Sequence, residues 1–195
     1  MTGAQQATAA KIVVAGGFGV GKTTLVASVS EIKPLTTEAE MTAAGVGVDD
    51  LAATPGKTAT TVAMDFGRIT LARDLILYLF GAPGQERFWF FWDELSRGAI
   101  GAVVLADVRR LDDAFAAVDF FEHRAIPHVV AINQFDGAPV HGHEELRDAL
   151  SLRESVPLLM CDARRRESSK RVLVTLVEHA VTQLRMNSDA AYARP

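Results

Sequence analysis

Apolar positions along the chain fall into short runs separated by stretches with helical spacing. Residues 11–16 (KIVVAG) form an apolar run ending in glycine, the pattern of a buried strand. Residues 22–30 follow, with Leu25, Val26 and Val29 spaced for one helix face. Residues 31–60 break the pattern with prolines, glycines and threonines and are expected to form a long loop. Loops of that length usually carry function. Residues 61–72 alternate with a period of two and predict a strand, 73–74 a tight turn, and 75–80 (LILYLF) a strand buried on both faces. Beyond it the pattern predicts an aromatic-rich helix over 86–97, strands over 99–107, 128–133 and 156–161, and helices over 112–123, 144–150 and 166–186. Six strands alternating with helices predict an α/β fold, a six-stranded, mostly parallel sheet with helices on both faces. A single domain over 11–186 is expected, flanked by flexible ends at 1–10 and 187–195.

On such sheets ligands bind at the carboxyl ends of the strands. After the first strand stands Gly16-Gly17-Phe18-Gly19-Val20-Gly21-Lys22-Thr23, which matches G-x-x-x-x-G-K-[ST], the phosphate-binding P-loop. The spacing has a chemical reason. Glycines let the backbone wrap so that successive N–H groups face phosphate oxygens. Lys22 adds a point charge, Thr23 offers a hydroxyl to Mg²⁺, and the following helix turns its positive end towards the anion. Thr24 extends the same wall.

After the third strand stands Gly81-Ala82-Pro83-Gly84-Gln85-Glu86-Arg87-Phe88. Its GQERF run resembles switch II of the Ras superfamily of small GTPases, which reads D-x-x-G-Q-E and often continues R-F. The resemblance implies a P-loop NTPase of Ras-like fold that binds GTP or GDP with Mg²⁺. It implies that Gly84 senses the γ-phosphate and that Gln85 orients the attacking water. Gly81 stands where the family has its metal-holding Asp, which implies a weakened Mg²⁺ anchor. After the fifth strand, Asn133-Gln134-Phe135-Asp136 resembles the N-K-x-D guanine motif, with Gln134 in place of lysine. A carboxylate at Asp136 can accept from guanine N1–H and N2–H₂ together, and adenine offers no such pair. Ala163 matches the alanine of the family's S-A-K, whose N–H donates to guanine O6. Thr61-Val62-Ala63-Met64-Asp65-Phe66 resembles the Rab-type stretch T-I-G-V-D-F, which implies Thr61, or its neighbour Thr60, as the switch I threonine that binds Mg²⁺, with Asp65 as another carboxylate able to replace the one missing at Gly81. Proline in switch II, the altered base motif and the absence of a lipidated tail resemble bacterial GTPases of the MglA and conservon type. Their neighbours include roadblock-type regulators, which implies a regulatory protein as partner.

The aromatic run 88–92 (FWFFW) holds five of the chain's 14 aromatics and both tryptophans. Five consecutive helical residues cover more than a full turn, so they cannot all face one core. Phe88, Trp89 and Trp92 are therefore expected to form a partner-binding surface on switch II. Phe18 is expected beside the γ-phosphate, where it could obstruct an arginine supplied by a partner. Arg68, Arg87 and Arg109 are candidates for an internal arginine, and 164–166 read as helix-end charges.

Composition narrows the functional classes. Twenty Lys and Arg against 24 Asp and Glu leave a formal charge of −4, which disfavours nucleic acid as a partner. One cysteine excludes an intramolecular disulfide and fits a reducing cytoplasm. No signal sequence, membrane helix or lipidation site is legible, so no direct membrane anchor is expected. Two rivals share the P-loop. A pseudo-GTPase that only holds nucleotide is favoured by Gly81 and Gln134. A P-loop kinase needs an arginine-rich lid, for which the sequence offers only 164–166.

Overall fold

The computed structural model describes residues 8–33, 35–42, 59–72, 74–85, 88 and 90–192. Strand β1 (Thr8–Gly16) lies in the middle of the sheet, hydrogen-bonded in parallel to β4 (Leu75–Gly81) and β5 (Ala99–Ala106). Strands β6 (His128–Asn133) and β7 (Leu158–Cys161) extend the parallel part. On the other side β3 (Ala59–Ala72) pairs antiparallel with β4 and with β2 (Leu35–Thr42). The order is β2-β3-β4-β1-β5-β6-β7. All six expected strands are present, and β2 joins them at the edge.

The period of two in β1 distributes its side chains between two cores. Ile12 and Val14 face the layer formed by helices α1 (Lys22–Val29) and α5 (Arg166–Tyr192). Val13 and Ala15 face the layer of α2 (Phe90–Ser96), α3 (Phe115–His123) and α4 (His143–Ala149). Strand β6 is buried at every position, as a central parallel strand must be. A 3₁₀ segment (Val108–Ala114) leads into α3.

Four sequence expectations change. The expected loop 31–60 contains β2, which runs opposite β3 from Leu35↔Phe66 to Thr42↔Ala59; residues 34 and 43–58 lie outside the described residues. Strand β1 begins at Thr8, inside the expected flexible start. Helix α5 continues to Tyr192, past the expected frayed end at 187.

The fourth concerns Trp92, which is 2% exposed and is not a partner surface. Its ring stands edge-on to Phe120 at 5.4 Å and stacked with Phe121 at 6.5 Å, and its indole N–H donates to the Pro83 carbonyl at 3.1 Å. Within α2 the described aromatics split between faces: Phe90 is exposed and Trp92 takes the core side. It thereby ties α2 to the segment that carries Gly84 and Gln85. Trp92→Ala is expected to cost about 3–5 kcal/mol of stability, read from denaturant unfolding.

Candidate functional site

Strands β1, β3 and β4 and the N-terminus of α1 converge on a cavity of about 510 Å³. It is lined by Phe18, Gly19, Gly21, Lys22, Thr23 and Thr24 on one side and Asp65, Gly81, Gly84, Gln85 and Phe88 on the other. The loop from Gly16 to Gly21 forms one wall. Gly16, Gly19 and Gly21 all have positive φ, at 131°, 72° and 105°. At Gly21 a Cβ would also lie 2.5 Å from the Asn133 amide nitrogen, so the position excludes any side chain twice over.

Lys22, the first residue of α1, is buried and turns back into the loop. Its ammonium donates to the carbonyls of Gly16 at 2.9 Å and Gly17 at 2.6 Å. Burial pushes its pKa down to about 8, against the opposing pull of the Asp65 carboxylate. Gly84 comes in over the same loop. A Cβ there would stand 2.5 Å from Lys22 Nζ and 2.7 Å from the Gly17 carbonyl oxygen, so only glycine permits the segment after β4 to approach this closely.

Thr23 Oγ1 donates to Asp65 Oδ2 at 2.5 Å. Asp65 lies on β3 directly opposite Gly81 on β4. A Cβ at position 81 would come within 2.9 Å of Asp65 Cβ and 3.0 Å of its Oδ2. A side chain at 81 and a carboxylate at 65 therefore compete for one space. The chain has the carboxylate on the neighbouring strand, next to the P-loop threonine. The Thr23 hydroxyl and Asp65 carboxylate are hard oxygen donors. Mg²⁺ usually takes one or two carboxylates along with phosphate oxygens rather than an all-protein cage. No cluster of three or more His, Cys, Asp or Glu able to hold a metal is found among the described residues. The donor set fits Mg²⁺ carried by a phosphate ligand.

The backbone of Thr61 stands apart from this group. It sits in the β2–β3 ladder opposite Glu40, four residues and about 13 Å along the strand from Asp65. Gln85 lines the cavity, Phe88, expected on a partner surface, lines it too, and Phe18 stands 65% exposed at its mouth. Trp89 lies outside the described residues, as does Arg87.

The loops after β6 and β7 are cross-braced. Asn133 at the end of β6 donates from Nδ2 to the Val20 carbonyl at 2.9 Å and accepts from the Ala163 N–H at 3.0 Å. Asn133 thus ties the P-loop to the β7–α5 connection. This corrects the expectation for Ala163: its N–H serves the brace, and the residue is 1% exposed. Gln134 is exposed, held by its backbone N–H to the Cys161 carbonyl at 2.7 Å. Asp136 carries a carboxylate at the surface, paired to Arg164.

Three contributors escaped the sequence reading. Arg164 was read as a helix-end charge but pairs with Asp136, which only the meeting of two loops reveals. Arg110, in a kink of the 3₁₀ segment, donates to the Phe18 carbonyl at 2.7 Å and braces the P-loop from outside. Asp113 packs against Gly17, where a Cβ would lie 2.6 Å from its own. Of the candidate internal arginines, Arg109 is held by Asp107 at 2.7 Å and lies over the Phe135 ring at 4.0 Å. It braces the loop after β6 and is committed to Asp107 and Phe135.

The fold and the P-loop define a nucleotide-binding protein with the architecture of a G domain. The chain belongs to the family described as "conserved hypothetical ATP binding protein", which matches residues 14–183. An uncharacterized protein of Methanocaldococcus jannaschii is 29% identical over 128 residues, covering 65% of this chain and 70% of that protein. Among solved structures, the cytosolic domain of the T. maritima FeoB iron transporter superposes with a TM-score of 0.63 at 19% identity. That match covers 89% of this chain and 64% of the cytosolic domain, so the chain spans under two thirds of it. The T. maritima FeoB G domain alone gives 0.59 at 20% identity, covering 89% of this chain and 99% of that domain. The FeoB G domain of Methanococcus jannaschii gives 0.55 at 12%, covering 90% and 99%. Likeness at these identities shows the fold. No helix among the described residues is long and apolar enough to cross a membrane.

Proposed function

We propose that this protein is a guanine-nucleotide switch that binds GTP or GDP with Mg²⁺ and hydrolyses GTP slowly. The observation that carries the reading is the convergence of Lys22, the Thr23–Asp65 pair and Gln85 on one cavity. The Lys22 ammonium and the loop N–H groups bind the β- and γ-phosphates. Gly84, pressed onto the loop, brings its backbone within reach of the γ-phosphate. Thr23 and Asp65 hold Mg²⁺, which supplies neutralising charge to the phosphate oxygens. Gln85 orients a water for attack on the γ-phosphorus, and GDP leaves as the β–γ bridge breaks. Turnover without a partner is expected near the intrinsic range of lone Ras-type sites, about 10⁻⁴ to 10⁻³ per second.

Guanine rather than adenine is supported by Asp136, placed on a loop that Asn133 fixes against the P-loop. Solved structures of the T. maritima FeoB cytosolic domain are described in GDP and GMPPNP forms. The family description names ATP, and one observation sides with it: the acceptor face of Asp136 is filled by Arg164. Denaturing the purified protein and identifying the released nucleotide separates the two bases directly. Asp136→Asn is expected to shift preference from GDP to XDP, because a base carrying O2 restores the lost donor–acceptor match. Equal binding of GDP and ADP by the wild-type protein would sink the guanine assignment.

Regulation by a docking protein is part of the proposal. Its support is the exposed pair Phe18 (65%) and Phe90 (40%), with Phe88 between P-loop and switch II at the cavity edge. Membership of the MglA and conservon type rests on the switch II and base motifs, and a cytoplasmic location on the single, buried Cys161.

A further inference from the structure

Arg164 stands between β7 and α5, one residue after Ala163, and its guanidinium engages two carboxylates at once. Nη1 donates to Asp136 Oδ2 at 2.9 Å and Nη2 to Asp136 Oδ1 at 3.1 Å, a bidentate fork. Nε donates to Asp162 Oδ1 at 2.9 Å, and Nη2 also to Asp162 Oδ2 at 3.1 Å. The two partners differ in exposure and in how firmly they are held. The Asp162 side chain is 17% exposed, and its Oδ1 also accepts the Arg164 backbone N–H at 3.0 Å. The Asp162 backbone N–H is in turn held by Ser168 Oγ at 3.0 Å. The Asp136 side chain is 87% exposed. Asp162 is the anchor and Asp136 the exchangeable end.

The chemistry of that exchangeable end matters. Guanine offers a carboxylate two parallel N–H donors, N1–H and N2–H, on neighbouring atoms of an N–C–N unit. A guanidinium offers the same pair with the same spacing. The open face of one carboxylate accepts one such pair. Resting on the reading of Asp136 as the base acceptor, we propose that Arg164 is a specificity-determining residue that occupies the Asp136 fork as an internal stand-in for guanine. A guanine base binds by exchange: its N1–H and N2–H take over Asp136 while Arg164 swings back onto Asp162, so neither carboxylate loses its donors. Adenine has no donor pair and cannot drive the exchange. Arg164 therefore lowers guanine affinity by competition. It also keeps Asp136 from facing Asp162 as an unneutralised charge when no base is there.

The test compares dissociation constants for GDP and ADP, with Mg²⁺, in wild type, Arg164→Ala and the double variant Asp162→Ser/Arg164→Ala. The double variant removes the second carboxylate that the arginine neutralises, so it covers the case in which the single variant folds poorly. The competing pair is exposed, so its loss is expected to raise GDP affinity about three- to fivefold. ADP affinity should stay unchanged in the double variant. The wild-type protein should gain GDP affinity relative to the double variant as salt screens the pair. The ¹⁵Nε signal of Arg164 in the wild-type protein should move on adding GDP and stay in place on adding ADP. Weaker GDP binding in both variants would overturn the proposal, because Arg164 would then be holding Asp136 in place for the base. An equal gain for ADP would overturn it too. Asp136→Ala separates the layers. If that variant keeps its GDP preference, the base assignment falls and the exchange with it. If it loses the preference while the Arg164 variants gain nothing, only the exchange falls.

Discussion

Lys22→Ala is expected to lose nucleotide affinity by about 10²- to 10⁴-fold, the worth of one or two charge-assisted hydrogen bonds to phosphate. The fold should survive. The packing of α1 rests on Leu25, Val26 and Val29, while Lys22 turns into the loop onto the Gly16 and Gly17 carbonyls. The same residue sets the pH dependence. Its pKa is lowered to about 8 by burial, and a bound polyphosphate raises it again, so binding takes up a proton above pH 8. GDP affinity should be flat below pH 8 and fall about tenfold per unit above it. The sign for folding is opposite. Between about pH 8 and the ordinary lysine value of 10.5 the folded chain binds fewer protons than the unfolded one. Stability of the protein without nucleotide should therefore rise with pH across that window, and the burial cost is fully present below it. Calorimetry with GDP across pH 7–10 checks the first claim and denaturant unfolding the second. A Lys22→Ala protein that binds GDP like wild type would remove the P-loop assignment.

Asp65→Ala is expected to weaken Mg²⁺-dependent retention of GDP by about 10- to 100-fold, read as faster release of a fluorescent GDP on dilution into limiting Mg²⁺. The sequence reading expects an anchor weakened at Gly81 and names Asp65 as the carboxylate able to replace it. Asp65 stands opposite Gly81 and hydrogen-bonds Thr23, so the carboxylate has moved from one strand to its neighbour. A transplant distinguishes this from simple damage. Gly81→Asp alone should disrupt the site, because its Cβ would press within 2.9 Å of Asp65 Cβ. Asp65→Gly/Gly81→Asp should recover much of the Mg²⁺ dependence. If Asp65→Ala leaves Mg²⁺ dependence untouched, the Thr23–Asp65 pair is only a structural hydrogen bond. The pseudo-GTPase reading then gains.

Much of this was legible along the chain because it is local. The P-loop is eight consecutive residues whose spacing is dictated by backbone wrapping, and it emerged where expected, between β1 and α1. Five strands were readable because buried parallel strands are short apolar runs, and antiparallel β3 because its residues alternate with a period of two. Strand β2 was not, since LTTEAEMT carries no such run and lies at an edge, paired on one side only with β3. Its polar pattern looks the same as loop until a partner strand is known. Trp92 failed for a related reason. The sequence showed that five aromatics cannot share one helix face, and only Phe120 and Phe121, some 28 residues on, decided which one is buried.

The sequence by itself determined the fold class, the phosphate loop and the order of the motifs, because each depends on neighbours within a turn or a strand. Tertiary structure alone decided where the charges meet. Asp65 faces Thr23 across 42 residues, Asn133 reaches Val20 across 113, and Arg164 reaches Asp136 across 28. Those pairings follow from strand register and loop convergence at the carboxyl end of the sheet. A hydrogen bond needs donor and acceptor within about 3 Å, and no periodicity along a chain encodes that distance.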